Sequence, residues 1–338
     1  MDLFTKTIRL TFILTLCVVI LGAYVRLSDA GLGCPDWPGC YGQIAGIPDT
    51  AAEILESKNK FPNLEVDAAK AWKEMVHRYF AGVLGLLIFL LALYSSRSSD
   101  NQLNHRKYLY TLVLLVIFQA LLGMWTVTML LKPLVVVLHL AGGFLILSLL
   151  WWLNLKISNW ANILSSDVLD RRFGVFIVVS LVVLSLQILL GGWTSSNYAA
   201  LACTDFPTCA GRWWPQDANL AKAFTLWSDA QVNYEFGVLQ SSERMAIHMF
   251  HRIGAVFTTL LLLGLIVLGY LRCKSRMFFL VFTMILFFLL LQIGLGISNV
   301  IFSLPLWVAV AHNAVGALLL LSLLTLFYMY VNIRNTYK

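Results

Sequence analysis

Five histidines and one acid offer most of the chemistry in this sequence. His77, His139, His251 and His312 stand in apolar surroundings, each with a small residue one turn on: Ala81, Gly143, Ala255 and Gly316. An ionisable group inside an apolar span marks a functional site by default. A small residue at i+4 shares the helical face and leaves room for a flat group beside the backbone. His248 is followed at that spacing by Arg252, and His105 by Leu109, so neither fits the pattern. His105 lies in a basic stretch and reads as a solvated side chain. Two imidazoles from two helices suit a haem iron with bis-histidine ligation in a bundle core. A zinc site would want further ligands than these surroundings hold. A hydrogen bond to a neighbouring helix is the remaining reading.

Glu74 precedes His77 by three residues, which puts both on one helical face. A carboxylate beside a ligand could act as acid, base or cation stabiliser. The alternative is an acid favoured by the dipole at a helix N-terminus. Arg78 and Arg252 each follow a histidine directly, and position alone makes them candidate partners for haem propionates. Cys34/Cys40 and Cys203/Cys209 share a Cys-x5-Cys spacing. In an oxidising compartment each pair could close a loop as a structural disulfide, or cycle as a redox couple. Cys17 and Cys273 read as unpaired.

The elements that must position these residues follow from composition. Of 338 residues, 59% are hydrophobic and 12% charged. Soluble domains carry about 25% charged residues, so the chain is an integral membrane protein and not a soluble enzyme or nucleic-acid binder. Eight apolar runs are long enough to span: Ile8–Leu27, Met75–Ser95, Leu109–Leu130, Leu134–Leu155, Phe173–Thr194, Met245–Tyr270, Met277–Phe302 and Pro305–Val331. Ile8–Leu27 lacks a convincing cleavage site and reads as a helix. With the N-terminus inside, the inner segments hold 13 Lys and Arg against four acids, and the outer ones 11 against 13. That is the positive-inside pattern, and it puts both termini in the cytoplasm. It also explains the net charge of +7 without an acidic partner. Two outer loops are long, residues 28–74 and 195–244.

The chain repeats itself once. Gly22–Gly42 aligns without gaps to Gly191–Gly211, setting Cys34, Asp36, Pro38, Cys40 and Gly42 on Cys203, Asp205, Pro207, Cys209 and Gly211. His77-Arg78 matches His251-Arg252, His139 matches His312, and Glu74 matches His248. Gln119-x3-Gly123 matches Gln292-x3-Gly296, and the motif recurs at Gln187-x3-Gly191. Four spans return the chain to its starting side, so the copies run parallel. The expected fold is all-α: eight transmembrane helices as two pseudo-twofold-related four-helix bundles. The first bundle is 1–156 and the second 157–338.

The run Arg26-Leu-Ser-Asp-Ala-Gly-Leu-Gly-Cys-Pro-Asp-Trp-Pro-Gly-Cys40, with Glu74-x-x-His-Arg78, His139, His251-Arg252 and His312, resembles the heme A synthase (CtaA) family. The resemblance covers nearly the whole chain and its cysteine-bearing prokaryotic branch. It implies oxidation of the C8 methyl of haem O to a formyl group, giving haem A for terminal cytochrome oxidase. It implies that His77 and His139 hold the substrate haem and that Glu74 assists catalysis. His251 and His312 would hold a haem B cofactor that relays electrons. Its implied partners are the bilayer of the inner (plasma) membrane, a haem O synthase as supplier, an electron acceptor and a second copy of the chain. Two other classes share the four histidines. A quinol-linked dihaem electron carrier gives Glu74 no role, and a haem transporter predicts ligands near the midplane.

Overall fold

An apolar run with no water to satisfy its backbone must satisfy it internally, which a helix does. The computed structural model describes residues 3–97, 103–158, 170–227 and 232–336. Lys338, counted above among the inner cations, lies outside them. The long helices are α1 (Leu3–Leu27), α3 (Ala68–Arg97), α4 (Leu103–Thr128), α5 (Pro133–Ile157), α6 (Arg171–Ser196), α8 (Ser241–Arg272), α9 (Arg276–Ile301) and α10 (Leu306–Thr336). Among the described residues, these eight are long and apolar enough to cross a membrane. Two short helices, α2 (Ala51–Lys60) and α7 (Leu220–Ala223), lie in the long loops.

Local chemistry sets the helix ends. Pro133 opens α5 at its first turn, where the missing N–H costs nothing. Asp170 accepts from the Phe173 amide to start α6, and Ser275 accepts from that of Met277 to start α9. In α2, Thr50 and Glu53 form a reciprocal capping box. Helices α3 and α8 begin at Ala68 and Ser241, one to two turns before the apolar runs starting at Met75 and Met245. Lys70, Lys73, Glu243 and Arg244 mask those turns from a hydropathy reading. Glu74 therefore lies within a helix and not at the end of a loop.

Helices α1, α3, α4 and α5 contact one another in a ring, α1 against α3 and α5, and α4 against the same two. Helices α6, α8, α9 and α10 do likewise, with α10 also touching α1 and α5. Each ring has an apolar cluster drawn from the portions nearest the chain termini. One includes Ile8, Ile88, Leu112 and Leu150; the other includes Ile177, Leu265, Phe282 and Leu323. The four matched histidines and His248 lie in the opposite portions, toward the long loops.

The sequence repeat extends to the backbone. Asp29, Tyr41 and Gly42 have positive φ, as do Tyr198, Ala210 and Gly211 at matched positions. Trp37-Pro38 and Phe206-Pro207 are both cis. The Cys40–Gln43 bridge recurs as Cys209–Arg212. Between the rings, Arg26 donates to the Ser195 carbonyl at 2.7 Å and to the Tyr198 hydroxyl at 2.9 Å, and that hydroxyl donates to Asp29 at 3.2 Å. Arg26 thus meets its own repeat mate, Ser195.

Candidate functional site

Each of the four matched histidines sits in a notch made by a glycine on the neighbouring helix. A Cβ on Gly22 would lie 3.0 Å from Cε1 of His77, and one on Gly123 would lie 3.4 Å from Cε1 of His139. In the second ring the same distance is 3.2 Å from Gly191 to His251 and 3.2 Å from Gly296 to His312. A side chain at these positions would crowd the imidazole edge, most at Gly22 and least at Gly123, so glycine eases the close approach. His77 and His139 lie on α3 and α5 of one ring of contacting helices, and His251 and His312 on α8 and α10 of the other. The structure therefore pairs the histidines within rings, one pair per half.

Nδ1 of His77, His139 and His312 is buried without a hydrogen-bond partner. An orphaned buried nitrogen costs free energy unless something completes it, which fits side chains that act as ligands. Among the described residues, no group of three or more His, Cys, Asp or Glu could hold a metal ion. Each half instead offers two imidazoles from two helices, the ligand set of a bis-histidine haem and not of tetrahedral zinc. His105 lies in the first turn of α4, partly buried, and not in the solvated loop its basic neighbours suggest.

Three glutamines contact three of these histidines. Gln119 on α4 donates to the His139 carbonyl at 2.6 Å. Gln187 on α6 donates to the His251 carbonyl at 2.9 Å and lies 3.1 Å from its Nδ1. Gln292 on α9 lies 3.3 Å from Nε2 of His312. Gly142 and Gly254 make room for two of these amides, whose oxygens stand where a Cβ would be. Gly143 and Gly316, the small residues one turn beyond their histidines, face the Gln119 and Gln292 amides. Part of the space expected for a planar group is thus occupied by glutamine.

Above each pair, a helical side chain clamps a disulfide loop. Cys34 and Cys40 are bonded, as are Cys203 and Cys209, and neither Cys17 nor Cys273 joins a disulfide among the described residues. Glu74 is buried; it accepts from the Cys34 amide at 2.9 Å and from Arg78 at 2.6 Å. Arg78 also donates to the carbonyls of Asp36, Pro38 and Gly39. In the second half, His248 stands in the place of Glu74. Its Nδ1 lies 3.3 Å from the Cys203 amide and its Nε2 3.2 Å from Nε of Arg252. Arg252 donates to the carbonyls of Cys203 and Thr208. Sequence position makes these arginines candidates for propionates, yet the structure commits both to their own loops.

The two clamps differ in capacity. A carboxylate has about four lone-pair sites, so Glu74 satisfies both donors and keeps acceptor capacity. A neutral imidazole has one lone pair, so His248 can accept from only one of its two neighbours. Among the described residues, Arg252 has no carboxylate within ion-pairing distance, whereas Arg78 has Glu74. Asp36 and Asp205 close the loops from within, accepting from the Gly42 and Gly211 amides at 2.8 and 2.9 Å. The Thr208 hydroxyl, followed by the Gly211 and Ala210 amides, pulls the partly exposed Asp205 carboxyl down to about 2.

Residues 6–324 match the family described as COX15-CtaA, cytochrome oxidase assembly protein. The chain belongs to the COX15-CtaA family. A heme A synthase of Shewanella oneidensis is 47% identical over 324 residues, covering 96% of each chain. One from Halalkalibacterium halodurans is 26% identical over 320 residues, 93% of this chain and 92% of the relative. One from Nitrosospira multiformis is 27% identical over 332 residues, covering 91% and 87%.

Membership agrees with the sequence reading. Sequence reasoning treated the thrice-repeated Gln-x3-Gly only as a mark of duplication. Its spacing carried the missing signal: a glutamine and a glycine four apart share one face, and here that face meets a histidine. Likewise, the alignment of Glu74 with His248 pointed to one shared position, but not to the loop amide both contact.

Proposed function

We propose that this chain is a heme A synthase, oxidising the C8 methyl of haem O to the formyl group of haem A for terminal cytochrome oxidase. The observation that carries this is the unequal pair of sites. Both halves offer two notched imidazoles, but among the described residues a carboxylate bonded to the cysteine amide of the disulfide loop stands above them only in the first. His248 fills that place in the second, whose buried acid Glu243 lies in the first turn of α8. The names of the three relatives support the same reading.

In this reading residues 1–156 form the substrate half, where His77 and His139 hold haem O, and residues 157–338 form the cofactor half, where His251 and His312 hold haem B. The halves are related by a pseudo-twofold axis, which the meeting of Arg26 with its repeat mate supports. Haem B, when bound, supplies a relay for the electrons removed from the substrate.

Converting the methyl to a formyl group consumes one water and releases four electrons and four protons. Each oxidation leaves positive charge at the methyl carbon. Glu74 stabilises that charge and can take a proton from the attacking water; two rounds give a gem-diol that loses water to the aldehyde. Arg78 and the Cys34 amide hold the carboxylate in place while leaving it lone pairs for this work. The Cys34–Cys40 and Cys203–Cys209 disulfides hold each loop over its own site.

The positive-inside pattern and the two disulfides support a multi-pass protein of the plasma membrane, with cytoplasmic termini and both sites toward the outer side. A haem O synthase is the supplier this reading requires. The test is to express the chain with a supply of haem O and extract the pigments. Formyl haem is the expected product; unchanged haem O would favour a dihaem carrier or a transporter.

A further inference from the structure

The four notches are not equally braced. His139, His251 and His312 each have a glutamine from the adjoining helix against them. His77 has none, although its notch at Gly22 is the repeat mate of the Gly191 notch. The residue four before Gly191 is Gln187, and the residue four before Gly22 is Val18. Both pairs are 169 positions apart, so Val18 stands at the place of Gln187. It packs against the apolar cluster of the first ring.

The consequence is mechanical. Gln187 ties α6 to α8 at the level of His251, through both its backbone carbonyl and its ring. Swinging that imidazole away gives up the ring contact, while the bond to the backbone carbonyl keeps the two helices tied. Gln119 ties α4 to α5 through the His139 carbonyl alone. Among the described residues no glutamine meets His77, whose Nδ1, like that of His139, has no hydrogen-bond partner. Duplication therefore left one histidine among the four without a glutamine tie, on the half assigned to substrate.

We infer that Val18 makes His77 the releasable ligand of the first-half site, so that porphyrin enters and leaves there while the second half retains its own. The inference rests on the haem reading of the histidines given above. A substrate site must exchange its ligand every turnover and a cofactor site must not, so the missing glutamine falls where exchange is needed. Gln187 is a positioning residue in this account, and Val18 is its deliberate counterpart.

The experiment loads the purified full chain with iron protoporphyrin IX and adds excess apomyoglobin as scavenger. Loss of the low-spin absorbance is followed in the wild type, Val18→Gln and Gln187→Val. Two phases are expected for the wild type. Val18→Gln should slow the fast phase about three- to tenfold and leave the slow one, the range expected for one added interhelical hydrogen bond in a membrane. Gln187→Val should speed the slow phase by a similar factor and leave the fast one. Slower release is a gain that misfolding does not produce, so the first variant stays decisive if the second proves unstable. Two phases whose rates neither variant changes overturn the inference while leaving the haem sites standing. A chain that binds no porphyrin, or only one, overturns the two-site reading and this inference with it.

Discussion

The two halves of this molecule share a scaffold down to single backbone angles, yet differ where chemistry would be done. Asp29, Tyr41 and Gly42 repeat as Tyr198, Ala210 and Gly211 in the same backbone conformations, and each half closes a disulfide loop over two notched imidazoles. At the centre of that frame, Glu74 in one half faces His248 in the other, each placed between a cysteine amide and an arginine. The difference shows that a position can keep its structural duty while changing its charge. Both side chains hold a loop; only the acid has acceptor capacity beyond that duty. A second difference, Val18 against Gln187, leaves one histidine unbraced on the same half. On the proposed reading, duplication gave two sites, of which one would be retentive and the other reactive.

The contrast can be broken most severely at Glu74. Glu74→Ala should lower product formation by about 10²–10⁴-fold, the usual contribution of a positioned acid or base, while both porphyrins remain bound. Quantified pigment extraction checks it, and normal yield would leave the halves equivalent. Next in size, His251→Leu or His312→Leu should weaken retention in the second half by more than about 100-fold, beyond the loss expected for residues that merely support a ligand. An unaltered low-spin spectrum after purification would count against this division of labour.

Smaller effects concern the loops. Replacing either Cys34 and Cys40 or Cys203 and Cys209 by serine frees a short loop and should cost about 2 kcal/mol. The comparison sharpens if activity falls mainly with the first pair, because Glu74 accepts from the Cys34 amide. The smallest effect is a pH dependence at Asp205, whose carboxyl lies near 2 when folded and about 3.9 when unfolded. A depressed acid stabilises above its unfolded pKa, so its contribution is complete above about pH 4 and fades as pH falls toward 2. Protection factors at the Ala210 and Gly211 amides, taken relative to intrinsic exchange at each pH, should fall across that window and stay flat above it.

Much of this was legible before any coordinates. Eight spans, the duplication and the four histidines follow from apolar length and residue spacing, because a membrane enforces helices. The starts of α3 and α8 were not legible, since charged residues such as Lys73 and Glu243 end an apolar run without ending a helix. Helix α2 was overlooked although Thr50 and Glu53 spell a capping box. The bracing of His139 by Gln119 and of His251 by Gln187 links residues 20 and 64 positions apart, and only tertiary packing brings such pairs together. The same holds for the arginines, whose places beside histidines were plain but whose loop carbonyls were not.

The central claim is that a carboxylate at position 74, and not merely a loop clamp, separates the two halves. Glu74→His tests it most directly, because it installs the residue that already clamps the second loop. With haem O supplied, the account predicts that this variant keeps the Cys34–Cys40 loop protected in hydrogen exchange, binds porphyrin in both halves and yields no formyl haem on extraction. Formyl haem at the wild-type yield would contradict it.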